Sequence, residues 1–155
     1  MSTRGLDPNP KMLLEYNSSV WSPASVKDIL RIEGVQRKFT KRVPGLSELT
    51  YYSRLKTLSL ESLELRRVRA DLILVYKIVF GLLSVTREDF FIPRAQSHLR
   101  GHPYTLNKQR CSSSAMRTFF SSRVINMWNN LPTSSTNFSS LSSFCLLYTS
   151  PSPRD

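Results

Sequence analysis

The strongest periodicity in the sequence lies between residues 60 and 80, and it restricts this part of the chain to an α-helix. Apolar side chains recur there at steps of three and four, which places them on one face of a helix. They are Leu65, Val68, Leu72, Val75, Val79 and Leu82. Ile73, Tyr76 and Phe80 widen this face, so we expect the helix to be covered on more than one side. Gly81 is a suitable residue for ending it.

Three further helices are predicted by the same spacing, over residues 23–43, 47–58 and 112–130. The expected inward-facing residues are Ile29, Ile32, Val35, Phe39 and Val43 in the first, Leu55 and Leu58 in the second, and Met116, Phe120, Val124, Met127 and Leu131 in the third. We therefore predict a mostly α-helical fold. It should be a small helical assembly in which helices 23–43 and 60–80 pack through their apolar faces and helix 112–130 adds aromatic residues.

Two sequence signals could begin the helix over residues 23–43. Ser22 followed by Pro23 fits an N-cap with proline at the first helical position. Ser25 with Asp28 three residues later offers an alternative capping box. The sequence leaves both alternatives open.

The remaining segments lack a clear helical pattern. Residues 1–10 are predicted to form a disordered N-terminus, and residues 98–111 an irregular or short extended segment. Residues 133–144 are rich in Ser, Thr and Asn, which predicts a flexible tail or a weak terminal helical turn. The helical region proper then spans residues 11–132, and 155 residues are of the order of one domain.

The charge balance favours a polyanionic partner. Lys and Arg number 22 against 11 Asp and Glu, which gives a net charge of +11. No carboxylate occurs from Phe90 to Phe144, although that stretch is rich in cations, and helix 23–43 has more cations than its C-terminal dipole can use. We expect contacts with RNA or DNA phosphates from Arg37, Lys38, Lys41, Arg42, Arg110, Arg117 and Arg123. The alternative is that these are solvated surface charges.

Aromatic residues alternate with cations in the C-terminal half. The residues concerned are Tyr104, Lys108, Arg110, Arg117, Phe119, Phe120, Arg123 and Trp128. Cations can contact phosphates while rings stack on unpaired bases, a combination suited to single-stranded nucleic acid. Phe120, however, lies at helical spacing from Met116 and Val124, which favours a place in the core.

No motif in the sequence indicates catalysis, a cofactor or a metal, so we expect a chain that is not an enzyme by itself. The sequence contains neither a Gly-rich phosphate loop nor a nucleophile elbow. Cys111 and Cys145 form neither a disulfide framework nor a zinc motif. His98 and His102 are four residues apart, but Gly101 between them makes a helical metal-binding pair unfavourable.

The sequence also predicts that the chain is neither secreted nor inserted in a membrane. The first residues lack the apolar segment of a secretory signal, so a nuclear or cytoplasmic location is expected. The most apolar run, over residues 72–83, is interrupted by Lys77 and is shorter than the roughly 20 residues of a membrane-spanning helix.

Several short motifs follow one another in a fixed order along residues 14–144. They are residues 14–23 (LEYNSSVWSP), 32–38 (IEGVQRK), 43–46 (VPGL), 52–56 (YSRLK), 66–72 (RRVRADL), 76–78 (YKI), 89–91 (DFF), 100–102 (RGH) and 119–132 (FFSSRVINMWNNLP). In this order they resemble the region that follows the polymerase domain in jockey-like non-LTR (LINE-type) retrotransposon reverse transcriptases.

The resemblance implies that the parent protein is an RNA-directed DNA polymerase with an N-terminal endonuclease and a central polymerase domain. It implies that this chain is a non-catalytic C-terminal piece, which helps to hold template RNA or target DNA. The paired aspartates of the polymerase's metal-binding signature have no counterpart in the sequence. No catalytic residue can therefore be transferred from the family.

Two alternative functions stay open beside nucleic-acid binding. The chain could be a helical interaction module that docks on the polymerase domain of the parent protein, or a non-functional remnant of a transposable element. Residues 145–155 (CLLYTSPSPRD) do not continue the family pattern and resemble a translated sequencing adapter, so they are excluded from the fold prediction.

Overall fold

The structure, a computed structural model, describes residues 15–23, 25–94 and 101–146. The described residues form seven α-helices and one short 3-10 turn at Arg87–Asp89, and they contain no strand. The helices are α1 (Ser18–Trp21), α2 (Val26–Lys41), α3 (Tyr51–Thr57), α4 (Leu63–Val79), α5 (Ser114–Thr118), α6 (Phe120–Asn129) and α7 (Leu141–Leu146). The mostly α-helical prediction is confirmed. The predicted disordered residues 1–10 lie outside the described residues.

The chain divides into two compact units, one up to Val68 and one from Arg69, and the boundary falls within α4. Each unit is described by itself below. The predicted helical region 11–132 includes parts of both. No helix in the described part of the chain has the length and apolarity needed to cross a membrane.

Helix α2 begins at the second of the two predicted starts. The Ser25 hydroxyl accepts a hydrogen bond from the Asp28 backbone N–H (3.1 Å) and donates one to the Asp28 carboxylate (2.7 Å). This arrangement satisfies one of the free N–H groups that every helix N-terminus leaves. The helix is shorter than the predicted 23–43 because this cap fixes its first residue at Val26.

The face that α2 buries is polar, which corrects the prediction that it packs through an apolar stripe. Its buried residues are Glu33, Gln36 and Thr40, whereas the predicted core residue Val35 is 46% exposed. The physical reason is that the buried polar groups have partners, so their burial does not leave unsatisfied donors or acceptors. The other predicted residues, Ile29, Ile32, Phe39 and Val43, are half-buried, so the buried polar face lies beside the predicted apolar stripe and overlaps its edge.

The buried polar groups of α2 connect it to the rest of the N-terminal unit. The Glu33 carboxylate accepts hydrogen bonds from the Tyr51 hydroxyl and from the Leu63 backbone N–H at the start of α4 (2.9 Å). The Gln36 amide donates to the Tyr51 hydroxyl (3.1 Å). The buried Arg54 guanidinium donates to the Thr40 hydroxyl (3.2 Å). The predicted partner of Leu55 in the core, Leu58, is only half-buried.

Helix α4, the predicted core helix, extends into the C-terminal unit. Leu72 and Val75 of the predicted face are buried, as is Tyr76, whereas Leu65 and Leu82 near its ends are exposed. The helix ends at Val79, just before the expected Gly81, whose φ of 66° favours glycine. The backbone N–H groups of Gly81 and Leu82 bond to the carbonyls of the last turn, at 3.2 and 2.8 Å.

An aromatic cluster forms the core of the C-terminal unit, and it includes residues of the predicted tail. Trp128 and Phe144 are fully buried with ring centroids 5.8 Å apart, and the Tyr76 hydroxyl donates to the Phe138 carbonyl (2.9 Å). Phe144 lies in α7. Of the two alternatives predicted for residues 133–144, the structure has the terminal helical turn, and the aromatic side chains of this segment complete the cluster. Of the adapter-like segment, residues 147–155 lie outside the described part.

The predicted helix over residues 112–130 is interrupted at Phe119, whose φ of −62° and ψ of 145° are extended. Helix α6 buries Phe120, Val124 and Trp128 as predicted, but Met116 on α5 is exposed because the break turns it out of the shared face. The predicted irregular or short extended segment around 98–111 is confirmed for its described part, residues 101–111, which is irregular apart from one antiparallel bridge between Leu106 and Pro93.

Candidate nucleic-acid interface

A groove in the C-terminal unit brings together three of the predicted phosphate-binding residues. It has a volume of about 500 Å³, within the roughly 300–1,000 Å³ typical of ligand sites. Its lining residues are Lys108, Gln109, Arg110, Cys111, Arg117, Ser122, Arg123 and Asn126, and we refer to it as the basic groove. No described residue that lines it is acidic.

The groove has one wall from an extended segment and another from helices α5 and α6. The Asn129 side chain holds the segment against α6, since its amide donates to the Leu106 carbonyl and its oxygen accepts from the Leu106 N–H, both at 2.8 Å. The chain then continues through Lys108 and Arg110 to Cys111, whose sulfur contacts the Ser122 hydroxyl at 3.3 Å. The contacts of Leu106 with Asn129 and of Cys111 with Ser122 thus fix the cationic segment to α6 on both sides.

Arg123 is not a free phosphate ligand, which corrects its predicted role. Its Nη2 lies 2.9 Å from Oδ2 of Asp71, and its Nε lies 3.2 Å from the same oxygen. Its Nη1 donates to the Thr118 carbonyl (3.2 Å), and the side chain is only 17% exposed. Asp71 belongs to α4, outside the carboxylate-free stretch, so no local sequence pattern indicates the pair. Arg123 therefore ties α6 to α4 and to the end of α5.

Lys108, Arg110 and Arg117 remain as the available cations of the groove. All three are exposed, and none of their side chains forms a hydrogen bond or ion pair with a described residue. Gln109, Ser122 and Asn126 add amide and hydroxyl groups that can donate to phosphate oxygens. The arrangement suits electrostatic binding of an extended anion.

The prediction named Arg110 and Arg117 but missed the polar residues of α6. Ser122 and Asn126 are four residues apart, a spacing that places both on one helix face, away from the buried Val124 and Trp128. That spacing was a signal available from the sequence. Gln109 carries no such signal, because it lies in an irregular segment.

The other four predicted residues lie in the N-terminal unit, at the C-terminal end of α2. Arg37, Lys38, Lys41 and Arg42 are all exposed, and we refer to them as the α2 basic face. The Arg37 guanidinium lies 4.8 Å from the centre of the Tyr51 ring, a cation–π contact that leaves its donors available. A helix C-terminus also favours positive charge, so this surface has a structural explanation beside a functional one.

The aromatic residues predicted for base stacking are mostly in the core. Phe120 and Trp128 are buried, and the Trp128 indole N–H donates to the Tyr104 carbonyl (2.7 Å). Tyr104 is partly exposed, but its ring packs against Phe80 at 4.8 Å between centroids. Phe119 alone of the four predicted rings is 60% exposed with no ring contact to a described residue.

His102 belongs to the core of the C-terminal unit. Its Nε2 lies 2.8 Å from the Trp128 carbonyl, and its Nδ1 accepts from the Tyr104 backbone N–H at 3.3 Å, so the neutral ring fits this site with a proton on Nε2. Burial lowers the pKa of His102, partly opposed by its bond to Trp128. His98 lies outside the described residues. Within those residues, no group of three or more His, Cys, Asp or Glu side chains is placed to hold a metal ion.

Comparison of the chain with protein-family models, with curated proteins and with solved structures finds no match.

Proposed function

We propose that the chain is a non-catalytic, nucleic-acid-binding piece of a retrotransposon RNA-directed DNA polymerase, and that it holds template RNA or target DNA through phosphate contacts. The observation that carries nucleic-acid binding is the basic groove, in which Lys108, Arg110 and Arg117 are exposed beside no acidic lining residue. The origin in a retrotransposon rests on the ordered motifs along residues 14–144.

Binding of this kind is electrostatic and tolerant of sequence. Cationic side chains displace counterions from the phosphate backbone, and the released ions supply most of the free energy of association. Polar groups such as those of Gln109 and Asn126 then fix the backbone without reading bases. The α2 basic face offers a second set of phosphate contacts in the other unit.

A salt titration of the whole chain tests this proposal. We expect a fluorescently labelled oligonucleotide to bind at low salt, with log affinity falling steeply and linearly against log salt concentration. Fluorescence anisotropy at several salt concentrations measures the slope. A flat slope, or no binding at low salt, would contradict the proposal.

A second candidate function is docking on the polymerase domain of the parent protein. It is favoured by exposed apolar side chains in the N-terminal unit, among them Val20 and Val26, which are 77% and 71% exposed. Apolar association strengthens with salt whereas phosphate binding weakens, so the two functions respond in opposite directions. Sedimentation of the chain mixed with a polymerase domain, at low and high salt, distinguishes them. Binding that rises with salt would favour docking.

A further inference from the structure

Phe119 has an unusual position for a large apolar side chain. It separates α5 from α6, and its extended backbone presents a carbonyl that accepts from the N–H groups of Ser122 (3.0 Å) and Arg123 (3.1 Å). Both of those residues line the basic groove, as does Arg117 two positions earlier. Phe119 is thus close to groove-lining residues along the chain, and its carbonyl is bonded to two of them, while its ring is mostly exposed to solvent.

The break in the helix gives this exposure a local cause. In a continuous helix, Phe119 and Phe120 would lie on adjacent faces and Met116 would share the buried face with Phe120. The extended residue instead directs Phe120 into the core, where it is buried, and leaves Phe119 and Met116 outside. The structure thus separates one aromatic ring from the core at the margin of a cationic groove.

An exposed ring beside exposed cations matches the chemistry of an unpaired nucleotide. Each nucleotide offers a phosphate for a cation and a flat base for a ring. In a duplex, the base faces are covered by their neighbours, so the ring gains no stacking partner and only the phosphates remain for binding. The other predicted rings are not available for stacking on a base, because Phe120 and Trp128 are buried and Tyr104 packs within the aromatic cluster.

We propose that the basic groove prefers single-stranded over duplex nucleic acid, with one unpaired base stacked on Phe119 while flanking phosphates contact Lys108, Arg110 and Arg117. This inference rests on the proposed function and adds the class of substrate to it. The stacked base sets the strand preference, and the three cations set the salt dependence.

The test compares binding of two labelled probes to the full chain by fluorescence anisotropy. One probe is a single-stranded oligothymidylate of about 12 nucleotides, within the usual site sizes for such proteins, and the other is a duplex of about the same length. The variants are Phe119→Ala, Phe119→Leu, which keeps an apolar side chain without a ring, and Phe119→Trp. Met116→Ala is the matched control, because Met116 is also exposed on the same side of the break but has no ring.

We expect Phe119→Ala and Phe119→Leu to weaken single-strand binding by about 5-fold to 150-fold, the range for losing one stacked base. Duplex binding should change by less than about 2-fold, and the salt slope should stay the same because no cation is lost. Phe119→Trp should retain the single-strand preference, and Met116→Ala should resemble the wild type.

Three results would overturn the inference alone: unchanged single-strand binding in Phe119→Ala, equal weakening on both probes, or wild-type affinity in Phe119→Leu. A wild-type chain that binds neither probe, or binds both without salt dependence, would instead overturn the proposed function and the inference with it. Circular dichroism of each variant checks that helicity is retained, which the exposure of Phe119 leads us to expect.

Discussion

Arg117 and Arg123 line the same groove but have different environments. Arg117 is exposed and has no described partner, whereas Arg123 makes a two-point contact with the buried carboxylate of Asp71. Sequence reasoning treated both as phosphate ligands, since both lie in a stretch without carboxylates. Asp71, which neutralises Arg123, lies on a different helix, so the local sequence around Arg123 does not indicate the ion pair.

Arg117→Ala and Arg123→Ala should therefore have opposite consequences. We expect Arg117→Ala to change the free energy of unfolding by less than about 0.5 kcal/mol and to reduce the salt slope of binding to a single-stranded probe by about 0.7. Arg123→Ala should destabilise the chain by roughly 2–4 kcal/mol, because Asp71 loses its partner while it is only 4% exposed. Urea unfolding followed by circular dichroism measures the stability. Equal stabilities of the two variants would contradict the assignment of Arg123 as a structural residue.

His102 makes the stability of the C-terminal unit depend on pH. Its pKa in the folded chain is lowered from 6.5, first of all by burial, so between the two values the unfolded chain binds more protons. The neutral ring therefore contributes its full stabilisation above about pH 6.5. This stabilisation is lost as the pH falls through the pKa of His102 in the folded chain.

We expect wild-type stability to fall as the pH decreases below about 6.5, and we expect a His102→Gln variant to lose less stability over the same change. Urea unfolding at a series of pH values gives both curves, and their difference isolates His102 from the other titrating groups. If the two curves run parallel, the buried neutral ring is not the cause.

At the level of elements, α2 shows what helical periodicity cannot decide. The sequence contains both an apolar series and a polar series at helical spacing, and the structure buries Glu33, Gln36 and Thr40 from the second. Glu33 holds the Tyr51 hydroxyl and the first N–H of α4. Burial of Tyr51, followed by its bond to Glu33, raises its pKa to about 12. These partners lie 18 and 30 residues away, beyond any local pattern.

Glu33→Ala and Val35→Ala test which face of α2 is structural. We expect Glu33→Ala to cost roughly 2–3 kcal/mol, because a buried hydroxyl and a helix-capping contact lose their acceptor. Val35→Ala should cost less than about 1 kcal/mol, because its side chain is half exposed. In Glu33→Ala the pKa of Tyr51 should also decrease, which ultraviolet absorbance of the phenolate measures. A larger loss of stability in Val35→Ala would restore the apolar-face prediction.

Helix α7 contributes a buried aromatic side chain from a segment whose composition indicates a tail. Phe144→Ala should destabilise the chain by roughly 3–5 kcal/mol, since Phe144 is fully buried against Trp128 and Tyr76. The same change at the exposed Phe119 should cost less than about 0.5 kcal/mol. Urea unfolding of both variants makes the comparison, and similar values for the two would contradict the packing of α7.

Periodicity therefore predicted the helices well and their contacts less well. The presence of α4 and its end just before Gly81 follow from local rules, and the Ser25 cap of α2 is one of the two starts that those rules allow. The break at Phe119 does not, because a single extended residue interrupts no hydrophobic spacing. Within the groove, Arg110 and Arg117 were predictable from charge alone, whereas the role of Arg123 required knowledge of Asp71.

For the whole molecule, the surplus of positive charge is the property from which the proposed function follows. Eight of the 22 Lys and Arg residues belong to two surfaces, four to the α2 basic face and four to the lining of the basic groove. Each surface lies within one compact unit. Contact with a polyanion would then depend on particular cations, whereas a diffuse surplus would make all exposed cations equivalent.

The most direct test of this claim compares salt slopes for the wild type and two triple variants. One variant replaces Lys108, Arg110 and Arg117 with alanine, and the control replaces Lys27, Lys56 and Arg94, three exposed cations outside both proposed surfaces. On a single-stranded probe each lost phosphate contact reduces the slope by about 0.7, so the groove variant should lose about 2 and the control less than about 0.5. Equal losses in the two variants, or a wild-type slope near zero, would contradict the account.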